Sequence, residues 1–222
     1  MAAETSSLSL LGVSKRWPGS DQPVLDDVNL VVEPGAVVRI GGANGAGKTT
    51  LLRIAAGLIR PEAGRIRLGL LDVETDRTAF QRRVGFLSAS SAGLYARLTV
   101  RDHLRLWSRL ALMSRSDRAA ACERVLAALG LRQLADRRVD RLSMGQRQRA
   151  RLAGAFLHDP HVVMLDEPTT SLDEEGAGLL VAEVERVRRA GGGALWCAPG
   201  EIETSLSFDQ RLVLRKGHLL AA

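Results

Sequence analysis

The sequence is nearly without lysine: Lys15, Lys48 and Lys216 are the only three in a chain of 222 residues whose lysines and arginines together number 31. Cysteine is as scarce. Cys122 and Cys197 stand far apart in no C-x-x-C pair, so neither a disulfide framework nor a thiolate zinc site is indicated, and both are expected in the core. The four histidines show no metal-ligand spacing, since His158 and His161 flank Pro160 in a turn while His103 and His218 lie apart. Aromatic residues are 4% of the chain, too few to stack a run of bases, and the arginines are interspersed with acids rather than gathered in a tract. The net charge of +6 is therefore read as a solvated surface or proximity to anionic lipid, with no nucleic-acid partner. No apolar run approaches the ~18 residues of a membrane span, and the N-terminus lacks the layout of a signal peptide. A cytoplasmic chain is expected, long enough for one large α/β domain or a core with a subdomain.

What is present centres on residues 42–50: Gly42, Ala43, Asn44, Gly45, Ala46, Gly47, Lys48, Thr49 and Thr50. The spacing G-x-x-x-x-G-K-[ST] lies between an apolar run at 36–40, read as a buried strand, and a segment from Leu51 with helical propensity, as in a phosphate-binding P-loop. Glycines let successive amide N–H groups turn inward around an anion, and the helix start adds its unpaired donors. Lys48 is placed to reach the β- and γ-phosphates, and the Thr49 hydroxyl to ligate Mg²⁺.

Before the P-loop, residues 8–13 and 28–32 read as short strands separated by the turn-rich stretch 18–23. Trp17 stands at that turn, and two readings stay open from the residues alone: a ring that stacks on a purine, or a surface tryptophan. After it, 65–70 and 84–87 read as strands, the latter leading into a polar loop over 88–93. From Leu98 to about Leu157 the composition turns to helix formers, with Thr99 as an N-cap and a second helix over 117–129 ending at Gly130. Ser143 is an N-cap for a further helix to about Leu157, and a hydroxyl with a glycine at a helix start makes a second anion site. The apolar run 162–165 ends in Asp166 and Glu167, which at the C-terminal end of a strand would face the P-loop phosphates. Asp166 would hold Mg²⁺ and Glu167 would polarise the attacking water.

The P-loop, then Leu142-Ser143-Met144-Gly145-Gln146, then Val162 to Thr169, then Ser171-Leu172-Asp173, follows the motif order of ATP-binding cassette (ABC) ATPases, which the whole chain resembles. Met144 stands where the family most often has glycine. The resemblance implies an α/β fold: a P-loop NTPase core with a parallel sheet, an antiparallel β subdomain and an inserted α-helical subdomain. One cassette would span 1–222, with the core over 1–89 and 158–222 and the helical part over 90–157. It also implies that two cassettes close head to tail, each ATP lying between one P-loop and the partner's Ser143, Met144, Gly145 and Gln146. Trp17 matches the position of an adenine-stacking aromatic, and Asp173 that of the D-loop acid.

Two departures accompany these matches. Ala89, or Ser88 in a register shifted by one, stands where the family usually has a glutamine that senses Mg²⁺, and Pro199 where it has a histidine on the γ-phosphate. Proline brings neither a side-chain donor nor a backbone N–H. By resemblance the chain is the ATP-hydrolysing subunit of an ABC transporter, using ATP and Mg²⁺, peripheral on the cytoplasmic face of the cell membrane and driving separate membrane subunits. Export is favoured, because segment 93–99 looks like that of sodium or multidrug export cassettes; a haem-exporter-like cassette is a further match in length. The alternatives are a slow, degenerate ATP switch serving as the weak half of a heterodimer, and a non-transport ABC protein of translation or DNA repair, which would usually carry two cassettes or a coiled-coil insertion.

Overall fold

The computed structural model describes residues 7–90, 93–200 and 204–222, so Ser91 and Ala92 of the polar loop lie outside the described residues. Alternating burial at the N-terminal end produces β1 (Leu8–Lys15), in which Leu8, Leu10 and Val13 are buried, paired antiparallel with β2 (Leu25–Val32), where Val28, Leu30 and Val32 face the same core. Next come β3 (Val37–Gly41), buried throughout, and α1 (Lys48–Ala55). The hairpin β4 (Ala63–Leu68) and β5 (Leu71–Asp72) follows, then the short α2 (Arg77–Gln81) and β6 (Val84–Leu87). The strand read at 65–70 ends at Leu68 because Gly69, at φ 57, turns the chain there.

Among the described residues between β6 and the next strand lie three α-helices: α3 (Val100–Leu110), α4 (Arg115–Ala128) and α5 (Met144–Phe156). Thr99 caps α3 by accepting from the Asp102 amide. The second helix begins two residues earlier than the pattern suggested, since Ser114 caps it by accepting from the Asp117 amide. The chain closes with β7 (Val162–Asp166), α6 (Glu174–Arg189), β8 (Gly193–Cys197), β9 (Gln210–Arg215) and β10 (His218–Ala221).

These strands form two sheets. The smaller is antiparallel, in the order β2-β1-β4-β5; the larger runs β10-β9-β3-β8-β7-β6, parallel except for β10. Because β3, β7 and β8 are covered on both faces, their sequences are nearly continuous apolar runs. Val38, Ile40, Met164 and Leu195 face one core, shared with α1 and the small sheet; Val37, Leu165 and Trp196 face the other, shared with α3 to α6. Arg124 of α4 reaches the carbonyls of Phe156 and Leu157 at the end of α5 and pairs with Asp159 and with Glu183 of α6, which joins the three helices. The parallel strands all deliver their C-terminal ends to one edge, and at that edge the P-loop follows β3.

Candidate functional site

Gly42, Gly45 and Gly47 all adopt positive φ, at 136°, 78° and 104°. At Gly42 a side chain is also barred by space, since a Cβ would lie 2.6 Å from the Leu214 carbonyl oxygen of β9. The loop between Gly41 and α1 therefore depends on glycine for both conformation and packing. Lys48, 6% exposed, opens α1 and turns back so that Nζ donates to the carbonyls of Gly42 at 2.7 Å and Ala43 at 2.9 Å. An ammonium thus lies against the loop whose helix begins with unpaired amides, an arrangement made for an anion. Val24, in the connection that carries Trp17, packs on Gly47, within 2.9 Å of where its Cβ would stand. Trp17 itself is 42% exposed, and Lys15 Nζ lies 5.3 Å from the centre of its ring.

Asp166 ends β7 almost fully buried, and its Oδ2 accepts from the Thr49 hydroxyl at 2.7 Å and, over a longer 3.4 Å, from the Ala89 amide. A hydroxyl and a carboxylate oxygen so close together are hard donors that fit Mg²⁺. Glu167 follows at φ 48, a conformation that costs a non-glycine residue of order 1–3 kcal/mol and is held here by its amide bond to the Cys197 carbonyl at 2.9 Å. Its carboxylate has no hydrogen bond or ion pair among the described residues. The Cys197 thiol beside it is pushed up by burial and by the Asp166 charge.

Ser143 and Gln146 form a capping box at the start of α5: the Ser143 hydroxyl oxygen accepts from the Gln146 amide at 3.2 Å, and the Gln146 side-chain oxygen from the Ser143 amide at 3.1 Å. The hydroxyl is thus an acceptor, as expected of an N-cap, and its proton remains to be donated. Met144 is 72% exposed. Gly145 lies so close to the next turn that a Cβ would be 2.8 Å from the Ser171 carbonyl oxygen. Met144 lines a cavity of about 480 Å³ with Ala89, Gln148, Arg151, Thr170 and Ser171, and no residue from 42 to 50 lines it. Asp173 caps α6, its Oδ1 accepting from the Gly176 amide at 2.8 Å.

The structure brings together Lys48, Thr49, Asp166, Glu167 and the Ala89 amide, and of residues 143–146 Met144 lines a cavity that Ala89 also lines but residues 42–50 do not. The sequence profile of the family described as ABC transporter matches residues 25–170. The chain belongs to that family. Among its relatives is the ABC transporter ATP-binding protein NatA of Bacillus subtilis, 32% identical over 215 residues that cover 96% of this chain and 87% of NatA. The cytochrome c biogenesis ATP-binding export protein CcmA of Roseobacter denitrificans is 41% identical over 173 residues, 78% of this chain and 75% of CcmA. The sn-glycerol-3-phosphate import ATP-binding protein UgpC of Chromobacterium violaceum is 33% identical over 215 residues, 96% of this chain and 58% of UgpC. A solved ATP-binding subunit of an ABC transporter superposes with a TM-score of 0.84 at 25% identity, covering 96% of this chain and 87% of its own. An ATP-binding cassette dimer solved with ADP and Pi has the same fold, with a TM-score of 0.84 at 23% identity over 96% of each chain.

The chain is accordingly an ABC-type ATPase with the α/β fold of P-loop NTPases, and ATP is its nucleotide. Named importers and named exporters both occur among its relatives. Among the described residues no helix is long and apolar enough to cross a membrane. At Ala89 only the backbone addresses Asp166. Pro199 is exposed just beyond β8, and the next residue, Gly200, has its carbonyl bound by the buried guanidinium of Arg39, which rises from the middle of β3. Sequence reasoning missed Arg39; a lone arginine in an otherwise apolar strand was the available signal.

Proposed function

We propose that this chain is the ATP-hydrolysing subunit of an ABC exporter, working as one of two cassettes that close head to tail on ATP and drive separate membrane subunits from the cytoplasmic face. The observation that carries this is the convergence of Lys48, Thr49 and Asp166 at one strand edge, with the unpaired Glu167 carboxylate next in the chain. Lys48 and the amides of the loop and α1 bind the phosphate chain, and Trp17 stacks on adenine with Lys15 behind its ring. Thr49 and Asp166 hold Mg²⁺, which when bound neutralises phosphate charge. Glu167 accepts the proton of the attacking water. Ser143, Met144, Gly145 and Gln146 meet the nucleotide of the opposing cassette with the hydroxyl proton and the amides that start α5; the exposed Met144, on a cavity that no P-loop residue lines, supports a role completed in trans. Asp173, by capping α6, holds the D-loop against that interface.

Export is supported by the 41% identity to a protein named as an exporter and by segment 93–99. The core over 1–89 and 158–222 and the helical part over 90–157 then move as the two bodies of one cassette. With Ala89 and Pro199 in the two loops, turnover by the isolated chain is slow. The test is ATP hydrolysis and light scattering on the purified chain, then with its membrane subunits in vesicles. ATP-dependent dimers and stimulated turnover with outward transport are the expected results. Inward transport overturns export, and dimers that never hydrolyse ATP, even with the membrane subunits, identify a switch instead.

A further inference from the structure

A closed circuit of hydrogen bonds leaves β7 and returns to it through α5. Gln148, buried on α5, donates from Nε2 to the Pro168 carbonyl at 2.9 Å, and its Oε1 accepts from Arg151 Nη1 at 2.7 Å. Arg151 Nη2 in turn donates to the carbonyls of both Ser88 and Ser90. The Ala89 N–H, which shares its peptide plane with the Ser88 carbonyl, points at Asp166 Oδ2. The circuit thus starts one residue after Glu167 and ends at the carboxylate proposed to hold the metal.

Ala89 has no side chain with which to address that carboxylate, so the orientation of its peptide is all the loop can contribute. That orientation is set by its flanking carbonyls. A guanidinium is planar and carries its donors in a fixed fork, so one arginine bridging two carbonyls and a glutamine oxygen fixes the loop in angle as well as distance. Burial pushes Arg151 below the ordinary arginine value. A lysine at 151 has one nitrogen in place of the fork and cannot hold the same plane.

We infer that Arg151 is a positioning residue for the magnesium side of the nucleotide site, aiming the Ala89 amide at Asp166 by clamping the carbonyls on either side of it. Its role is that of an outer-shell partner, one contact removed from the metal-holding oxygen. The inference rests on the proposed magnesium role of Thr49 and Asp166.

The experiment uses the full chain as parent, Arg151→Met and Arg151→Lys. Affinity for a fluorescent ATP analogue is measured in EDTA and across a Mg²⁺ titration, with amide exchange followed in the peptide covering 86–90. In Arg151→Met, affinity in EDTA stays at the parent value, exchange at 86–90 quickens, and the half-saturating Mg²⁺ concentration rises about ten-fold, in line with the loss usual for an outer-shell partner. Arg151→Lys is not rescued to the parent Mg²⁺ requirement. An unchanged Mg²⁺ requirement in Arg151→Met overturns the inference, because an arginine that merely ties α5 to the loop would alter exchange without altering the metal. Should Arg151→Met not fold, Arg151→Lys decides on the same criterion. A parent whose ATP affinity ignores Mg²⁺ would overturn the proposed function instead.

Discussion

The Thr49 hydroxyl donates to Asp166 Oδ2 over 2.7 Å although 117 residues separate the two in sequence. That one bond joins the first turn of α1 to the end of β7. Thr49→Val keeps the shape and removes the oxygen. Binding of ATP in EDTA should persist in this variant while the gain in affinity on adding Mg²⁺ is lost, which titration of a fluorescent nucleotide measures directly. A Mg²⁺ gain equal to the parent's would take Thr49 out of the metal site.

Lys48→Ala removes the cation that rests on the Gly42 and Ala43 carbonyls. Charge-assisted bonds are worth roughly 1.5–3 kcal/mol, so ATP should bind about ten- to a hundred-fold more weakly, as read by calorimetry. Unchanged affinity would count against the P-loop as the nucleotide site.

For Glu167→Gln the shape and the amide bond to Cys197 are retained, and only the proton acceptor goes. Nucleotide binding should survive and hydrolysis stall, so that an ATP-bound dimer accumulates in light scattering. A variant releasing phosphate at the parent rate would remove Glu167 from the mechanism.

Pro199, where the resemblance implies a histidine, has no side-chain donor for the γ-phosphate, and loss of a donor to transition-state charge typically costs about 10²–10³ in rate. Steady-state phosphate release by the isolated parent should lie well below ~10 s⁻¹. Pro199→His should raise it only where Arg39, holding the Gly200 carbonyl, leaves the new ring the right backbone; Arg39 therefore belongs in the comparison. Fast turnover by the parent alone would show that the histidine is dispensable.

Stability of the helical part can be read at Thr99, whose hydroxyl caps α3 and donates to Asp102 Oδ2 at 2.7 Å. That hydroxyl is the main reason the Asp102 carboxyl sits below the ordinary aspartate value. A depressed carboxyl stabilises the fold above its unfolded pKa of ~3.9 and loses that contribution as pH falls through the folded value. Thr99→Ala should cost about 1 kcal/mol at neutral pH in urea unfolding, with the difference from the parent narrowing in acid below pH ~4.

The phosphate-binding half of the site could be read from the sequence because its chemistry is local: glycines, a lysine and a helix start must be adjacent in the chain. Ser143 was legible as a cap for the same reason. By contrast α6 and β8 are not legible in the motifs, although Asp173, which ends the motif at 166–173, is itself the cap of α6. The strand β8 is five residues of plain apolar sequence after a run of glycines, and only its parallel neighbours β3 and β7 explain it. Arg151 was beyond reach for a different reason: it binds carbonyls of a loop 61 and 63 residues away, and backbone acceptors carry no residue signature.

Gly145 touches the Ser171 peptide with no side chain between them. Side chains are the compressible part of most packed contacts, since they can change rotamer and absorb a small shift. Here there is nothing to yield, so the start of α5 and the turn that leads to Asp173 behave as two stiff faces in direct abutment. The contact is therefore a backbone-to-backbone one, and its closeness depends on the missing methyl group.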